Sequence, residues 1–252
     1  MTEKVAVVTG AARGIGLATT DLFREKGWRV AMVDRDAAAL KEAAAARNDA
    51  LAIVADVSIP EDVARMTNAA AEAFGRIDAL VNNAGVADFG PLEGTTFERW
   101  RTVMATNLDG VFLCSQAVLP WLKETRGSIV NIASISGVRA STLRVAYGTS
   151  KAAVIHLTRQ QAAELGEFGV RANCVAPGPV ATKLAKAVHT QDIVDAYHDA
   201  IPLNRYGAER EIAEAIVFLA SEAASYVTGQ TLAADGGFDA TGVGLPALRR
   251  DR

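Results

Sequence analysis

The sequence predicts a doubly wound α/β fold, a parallel sheet of seven strands with helices on both faces. Three observations carry that expectation. Strand-like and helix-like segments alternate from end to end. Several strand-like segments are apolar at every position, as strands covered on both faces are. The first of them runs straight into a glycine-rich turn that opens a helix.

Strands are expected at residues 5–8, 30–33, 51–54, 79–81, 129–132, 170–175 and 231–233, each a short run rich in Val, Ile, Leu or Ala. A helical pattern fills 15–26. The alanine-rich stretch 37–46 reads as a second helix, since alanine is the best helix former. Pro60 opens a third, at the position where its missing N–H costs little. Longer helices are expected at 97–124 and 147–168, with Pro120 ending or kinking the former, and a short one at 211–221. No fixed-period repeat and no Pro/Ser/Gly-rich linker interrupts the pattern. The reading is therefore one domain over 1–252, with a lid at about 181–206 and a C-terminal tail at 239–252.

Composition narrows the function. Of 252 residues, 50% are hydrophobic and 22% charged, which suits a chain with a sizeable core. The net charge is −3 and no basic stripe precedes the terminal Arg249, Arg250 and Arg252, so nucleic acid is not an expected partner. Cys114 and Cys174 lie in no CxxC or Cys/His cluster, so no metal site is expected, and Cys174 reads as a core residue. The N-terminus enters a strand almost at once, leaving no room for a signal peptide, and no membrane span is expected. A cytoplasmic enzyme is the resulting expectation.

Residues 9–16, Thr-Gly-Ala-Ala-Arg-Gly-Ile-Gly, follow the first strand directly. In that setting Gly10 permits a tight turn, Gly14 lets backbone approach a pyrophosphate, and Gly16 lets helix and strand pack closely. The helix N-terminus offers free N–H groups and partial positive charge. Asp34 ends the second strand, where a carboxylate can accept from both hydroxyls of an adenosine ribose and repels a 2′-phosphate. Arg13 and Arg35 pull the other way, because either can reach such a phosphate. On balance NAD is expected rather than NADP.

Ser134, Tyr147 and Lys151 follow the fifth strand. Residues four apart on a helix share a face, so Lys151 is expected beside Tyr147. An ammonium about 4 Å from a phenol at an effective dielectric near 20 favours its ionised form by roughly 4 kcal/mol, an upper estimate. Such a shift suits a tyrosine for proton transfer near neutrality. Any helix can present Tyr-x-x-x-Lys, so the pair gains meaning only from the rest of the chain.

With these motifs in order, the sequence resembles the short-chain dehydrogenase/reductase family from about Lys4 to Phe238. The cofactor turn matches 9–16, Asp56-Val57 follows the third strand, and Asn-Asn-Ala-Gly matches 82–85. Asn-x-x-Gly matches 107–110, and Pro177-Gly178 follows the sixth strand, with Thr182 beyond it. Asp235-Gly236-Gly237-Phe238 resembles the family's C-terminal signature.

The resemblance implies a Rossmann-type fold and reversible hydride transfer between a nicotinamide and a carbonyl carbon. It makes Tyr147 the acid/base, Ser134 the hydrogen-bonding partner of the reacting oxygen, and Lys151 a nicotinamide-ribose ligand. Asn107 resembles the residue that positions a water linking the lysine to solvent. Cofactor contacts are implied for Gly10, Arg13, Gly14, Ile15 and Gly16, and for Asp34, Arg35, Asp56 and Val57. They are implied also for Asn83, Ala84, Gly85, Tyr147 and Lys151, and for Pro177, Gly178, Val180 and Thr182. Asn82 reads instead as structural.

The substrate pocket is expected around the loop after Gly85, residues 136–144, and the segment after Gly178. Ser136 and Arg144 are its candidate contacts, Arg144 for a carboxylate or sulfonate. The lid between Pro179 and Pro202 carries His189 and His198, which read as surface residues. Gly242, Gly244 and Pro246 argue against a helical tail, which is either disordered or crosses to a neighbouring subunit. Family members commonly form tetramers, so a homotetramer or homodimer is expected.

The leading expectation is an NAD-dependent dehydrogenase of a small or medium secondary alcohol, polyol or sugar. The alternatives are an NADPH-preferring 3-oxoacyl-[acyl-carrier-protein] reductase, opposed by Asp34, and a catalytically silent nicotinamide-binding regulator, opposed by the intact Ser134, Tyr147, Lys151 and Asn107.

Overall fold

In the computed structural model, which describes residues 3–182 and 189–242, seven strands form one all-parallel sheet. The strands are β1 (Val5–Thr9), β2 (Arg29–Asp34), β3 (Leu51–Val54), β4 (Ala79–Asn82), β5 (Ser128–Ile132), β6 (Arg171–Pro177) and β7 (Thr231–Ala234). Their spatial order is β3-β2-β1-β4-β5-β6-β7. The chain winds outward from β1 to β3, then returns to place β4 on the other side of β1. The carboxyl ends of β1 and β4 thus flank the point where winding reverses, the crevice in which such sheets hold ligands.

The apolar strands have helices on each side. On one face, Ala6, Val8, Val30 and Met32 pack against α1 (Gly14–Glu25), α2 (Ala37–Ala45) and α9 (Glu209–Ala220). On the other, Val7, Ala31, Val33 and Leu80 meet α3 (Pro60–Phe74), α5 (Gly110–Thr125) and the end of α7 (Val145–Leu165). Pro60 opens α3 as expected, and α3 closes on Gly75 in the left-handed region at φ 72°.

Three expectations change. The helix read over 97–124 is divided into α4 (Phe97–Met104) and α5 by a π-helical turn at Ala105–Asp109. Pro120 neither ends it nor stops its packing; α5 runs on to Thr125 because Val118 and Leu122 on either side of the proline are buried in the core. The sequence reading found no membrane-length stretch, but Phe97–Thr125 taken whole is long and apolar enough by length and composition. In this structure the segment packs one side on α3, α7 and the sheet and leaves side chains such as Phe97 and Phe112 exposed.

The sequence reading also missed α6 (Ile135–Val138), directly after β5, and α8 (Gln191–Ala200), inside the lid. Residues 183–188 of the lid and 243–252 of the tail, with Gly244, Pro246 and the terminal arginines, lie outside the described residues.

A buried polar seam crosses the sheet. Asn82 Nδ2 donates to Asn131 Oδ1 (2.9 Å) and Ser115 Oγ (3.1 Å). Asn131 Nδ2 donates in turn to Thr158 Oγ1 (2.9 Å) and Gln161 Oε1 (2.8 Å). Asn82 therefore ties β4 to β5 and α5, the structural role its sequence position suggests, and the seam ends just short of the residues that line the crevice.

Candidate active site

The turn after β1 is built to receive a close backbone. Gly10 has φ 64°, and a Cβ there would sit 2.9 Å from the Ala84 Cα. Gly16 answers to the turn itself rather than to the strand: a Cβ would overlap the Gly10 carbonyl and lie 2.6 Å from Asn83 Nδ2. Gly14, at φ 60°, has open space around it apart from Glu209. Arg13 provides no side-chain cap to α1, and the first turn carries no acidic residue, so its N–H groups remain available to an anion. Ile15 lies in that first turn, packed against the core.

Asn83 serves this turn from below. Its Nδ2 donates to the Thr9 and Gly10 carbonyls at 2.9 and 3.1 Å. The Thr9 hydroxyl accepts from the backbone N–H of Asn83 and of Ala84, both at 3.0 Å. The Asn83 amide nitrogen is thus spent on fixing the turn, whereas the sequence reading had it lining the ligand. Thr9 had no assigned role there; its place at the head of the glycine motif was the available signal.

At the other end of the crevice, both Asp34 oxygens are anchored by backbone amides, Oδ2 by Ala12 (3.1 Å) and Oδ1 by Asp36 (3.0 Å). The two cations nearby are already paired, Arg13 with Asp36 and Arg35 with Asp56. Asp56 is partly buried, which raises its pKa, but hydrogen bonds from Ser58 and the Arg35 guanidinium outweigh that and hold it below the usual carboxylate range. Val57 is buried against Gly110, the first residue of α5.

Ser134 ends the chain's exit from β5 and caps α6, its Oγ accepting from the Ser136 N–H at 3.1 Å. Tyr147, which α7 brings alongside, has the Ser134 hydroxyl as a neighbour. Burial raises the Tyr147 pKa; the Ser134 hydrogen bond and the Arg144 charge work against that rise. Ser136 itself is buried and its hydroxyl pairs with Ser141 at 3.1 Å. Its backbone N–H supports Ser134.

Lys151 departs from expectation. Its ammonium donates to the Ile132 carbonyl at 2.7 Å and lies 5.8 Å from the centre of the Tyr147 ring. The sharing of a helix face is correct, but a long side chain four residues on reaches past the phenol to an unpaired strand-end carbonyl. Its burial lowers its pKa to about 8.

Asn107 sits in the π-helical turn, wholly buried. Its Nδ2 donates to the Val86 carbonyl (2.9 Å) and Ser150 Oγ (3.1 Å), and its Oδ1 accepts from Val86 N–H (2.8 Å). A Cβ on Gly85 would lie 3.3 Å from that Oδ1 and 3.5 Å from Lys151 Nζ, so the two groups converge on Gly85. Burial raises Cys174 to about 11, which leaves it an inert core thiol.

Pro177 ends β6, and Gly178 N–H donates to the Ala234 carbonyl at 3.1 Å. Beyond it Val180 is buried and bridges Gly207, and Thr182 N–H donates to the Val180 carbonyl at 2.7 Å. This segment leads into the lid, which the structure furnishes with an aromatic cluster absent from the sequence reading. His189 Nδ1 meets Tyr206 Oη at 2.9 Å and its ring stacks on Tyr197 at 5.7 Å. Burial and the Arg144 charge lower the His189 pKa, so this residue is not the distant surface group expected. His189, Tyr197 and Tyr206 are scattered over the lid segment, and no fixed spacing in the sequence marks them as partners. His198 packs edge-on against Tyr206 at 5.6 Å.

Among known proteins, the family model described as "Enoyl-(Acyl carrier protein) reductase" matches residues 10–239. A meso-2,3-butanediol dehydrogenase from Serratia marcescens is 39% identical over 241 residues, covering 95% of this chain and 96% of that protein. A 3-oxoacyl-[acyl-carrier-protein] reductase from Staphylococcus epidermidis is 38% identical, covering 93% and 98%. The crystal structure of a levodione reductase superimposes with a TM-score of 0.91 at 34% identity, covering 96% and 99%.

Proposed function

The chain belongs to the short-chain dehydrogenase/reductase family of oxidoreductases, and we propose that it is an NAD-dependent dehydrogenase interconverting a small or medium secondary alcohol, polyol or sugar with its ketone. The observation that carries the reading is the arrangement of Ser134 and Tyr147: a hydroxyl oriented by the Ser136 amide stands beside a phenol whose ionisation it favours.

The residues fit a dinucleotide. Gly10 lets the turn pack on Ala84, Gly14 leaves open space that a pyrophosphate could enter, and the uncapped α1 N-terminus can bind it. Asp34 can take the adenosine ribose, with Asp56, Val57, Ala84 and Gly85 along the adjoining wall. Lys151 and Tyr147 would hold the other end, and Pro177 to Thr182 would cover it. When bound, the nicotinamide supplies the hydride acceptor or donor. NAD is favoured over NADP because Asp34 is a fixed carboxylate and because Arg13 and Arg35 already have carboxylate partners.

In alcohol oxidation Tyr147 takes the hydroxyl proton, and in reduction it returns one. Ser134 fixes the reacting oxygen and donates to it as charge develops. Lys151, with its pKa near 8, exchanges a proton readily at neutral pH, and with Asn107 beside it gives the phenol a route to solvent.

Likeness to the Staphylococcus epidermidis protein supports a second reading, an NADPH-dependent 3-oxoacyl-[acyl-carrier-protein] reductase. Oxidation of an alcohol and polyol panel with NAD⁺ and NADP⁺, set beside reduction of acetoacetyl-CoA with NADPH, separates the two. Turnover confined to acetoacetyl-CoA and NADPH would overturn the first reading, and no turnover at all would leave the silent regulator.

By family resemblance we read the molecule as a single-domain cytoplasmic homotetramer or homodimer. Half-exposed Phe112 on α5 is consistent with helix-to-helix assembly, and light scattering on the purified protein tests it.

A further inference from the structure

Arg144 stands beside Tyr147 with no acid paired to it among the described residues. Its guanidinium carbon lies 4.5 Å from the centre of the Phe89 ring and 5.8 Å from that of Tyr147. It is partly buried, and it forms no ion pair among the described residues. The undescribed lid residues 183–188 contain no Asp or Glu, and among the other undescribed side chains only Asp251, next to the C-terminal residue, is acidic. Its neighbours differ: Arg99, which holds the Phe89 carbonyl, pairs with Asp88 at 2.7 Å, and Arg139, on the Phe238 side, lies 4.0 Å from Asp239.

The position is held at some cost. Leu143, immediately before Arg144, adopts φ 60°, a left-handed conformation that leucine rarely takes. The Leu143 carbonyl accepts from Gly90 N–H at 3.0 Å, and Gly90 bridges Arg144 across the same gap. Two loops are thus pinned together so that the guanidinium lies over Phe89 and near the phenol. Strain at one residue and a partly buried cation with no acidic partner among the described residues are features that a fold keeps where a ligand supplies the missing partner.

Resting on the dehydrogenase reading, we infer that Arg144 receives an anionic group on the substrate, a carboxylate or sulfonate a few bonds from the carbinol that Tyr147 deprotonates. The guanidinium fork takes such a group with two parallel hydrogen bonds, and Phe89 holds the fork in plane. The substrate class is then short hydroxy acids or hydroxyalkyl sulfonates, narrower than secondary alcohols and polyols at large.

The test compares kcat/KM with NAD⁺ and with NADP⁺ in matched series: 3-hydroxybutyrate and 4-hydroxypentanoate against their methyl esters, 2-hydroxypropane-1-sulfonate against 2-butanol, and neutral polyols. The wild-type enzyme is expected to favour the anions by about 10- to 100-fold, the range for a hydrogen bond to a charged group. Arg144 also bears on the Tyr147 pKa, so Arg144→Gln slows both series; the diagnostic is an added rise in KM for the anions alone, partly restored in Arg144→Lys. Carboxylate against sulfonate preference identifies the anion. Equal kcat/KM for anions and neutral partners, or an Arg144→Gln variant that scales both alike, would overturn the anion site and leave the dehydrogenase reading standing. Absence of any turnover across all series would remove both.

Discussion

The Lys151 ammonium donates to the Ile132 carbonyl oxygen at 2.7 Å, joining the middle of α7 to the carboxyl end of β5. A charge is thereby buried next to the crevice with one neutral acceptor, and its pKa falls to about 8 from 10.5.

Lys151→Met is therefore expected to abolish turnover and raise stability. The depression of the lysine pKa corresponds to about 3 kcal/mol as an upper figure, of which roughly 1 kcal/mol returns with the lost hydrogen bond. Between pH 8 and 10.5 the unfolded chain holds a proton that the folded chain has released, so the wild-type fold gains stability as pH rises through that window. Thermal melts should show the variant ahead by several degrees at pH 7. Its lead should narrow toward pH 10; a variant that melts lower at pH 7 would contradict the account.

Tyr147→Phe should keep cofactor affinity while losing nearly all turnover, measured by cofactor fluorescence titration alongside rate. Ser134→Ala should slow the rate by about 10²–10³-fold, as for loss of one oxyanion donor. The phenol is raised by burial and held down by Ser134 and Arg144. The rate of alcohol oxidation should accordingly climb with pH toward the alkaline side, and Ser134→Ala should displace that limb to higher pH. An unmoved limb would show that another group titrates.

Discrimination between cofactors should rest on Asp34. Isothermal titration with NADH and NADPH is expected to favour NADH in the wild-type protein, and Asp34→Ser should narrow the ratio by about 10-fold or more. Tighter NADPH binding to the wild type would remove Asp34 from the account.

Gly16→Ala tests the turn. The added methyl meets the Gly10 carbonyl and Asn83 Nδ2, both fixed by the hydrogen bonds that shape the loop. Overpacking of this kind costs about 1–3 kcal/mol, and cofactor affinity should fall with it. Gly166→Ala, at a position with nothing within 4 Å, serves as the control. Equal behaviour of the two variants would mean that the close contact carries no weight.

The sheet was legible because each strand is a separate apolar run between helical patterns, and the strand boundaries needed little adjustment. Ser134, Tyr147, Asn107 and Asp34 were legible because each stands at a strand end or at a fixed offset from a glycine motif. The destination of a flexible side chain was not: spacing put Lys151 on the right face, while an unsatisfied carbonyl on β5 decided where its amine went. Asn83 shows a similar limit, since its amide was claimed by Thr9 and Gly10 from a loop 73 residues away. The aromatic group of His189, Tyr197 and Tyr206 depends on lid packing that leaves no periodic trace.

The widened coil at Ala105–Asp109 holds one residue more than a regular winding needs between the same two ends. Excising that surplus would let α4 and α5 fuse with their outer faces in phase, at the expense of the buried amide that clasps Val86. One inserted residue in an otherwise ordinary rod is enough to turn a side-chain amide inward onto a neighbouring loop.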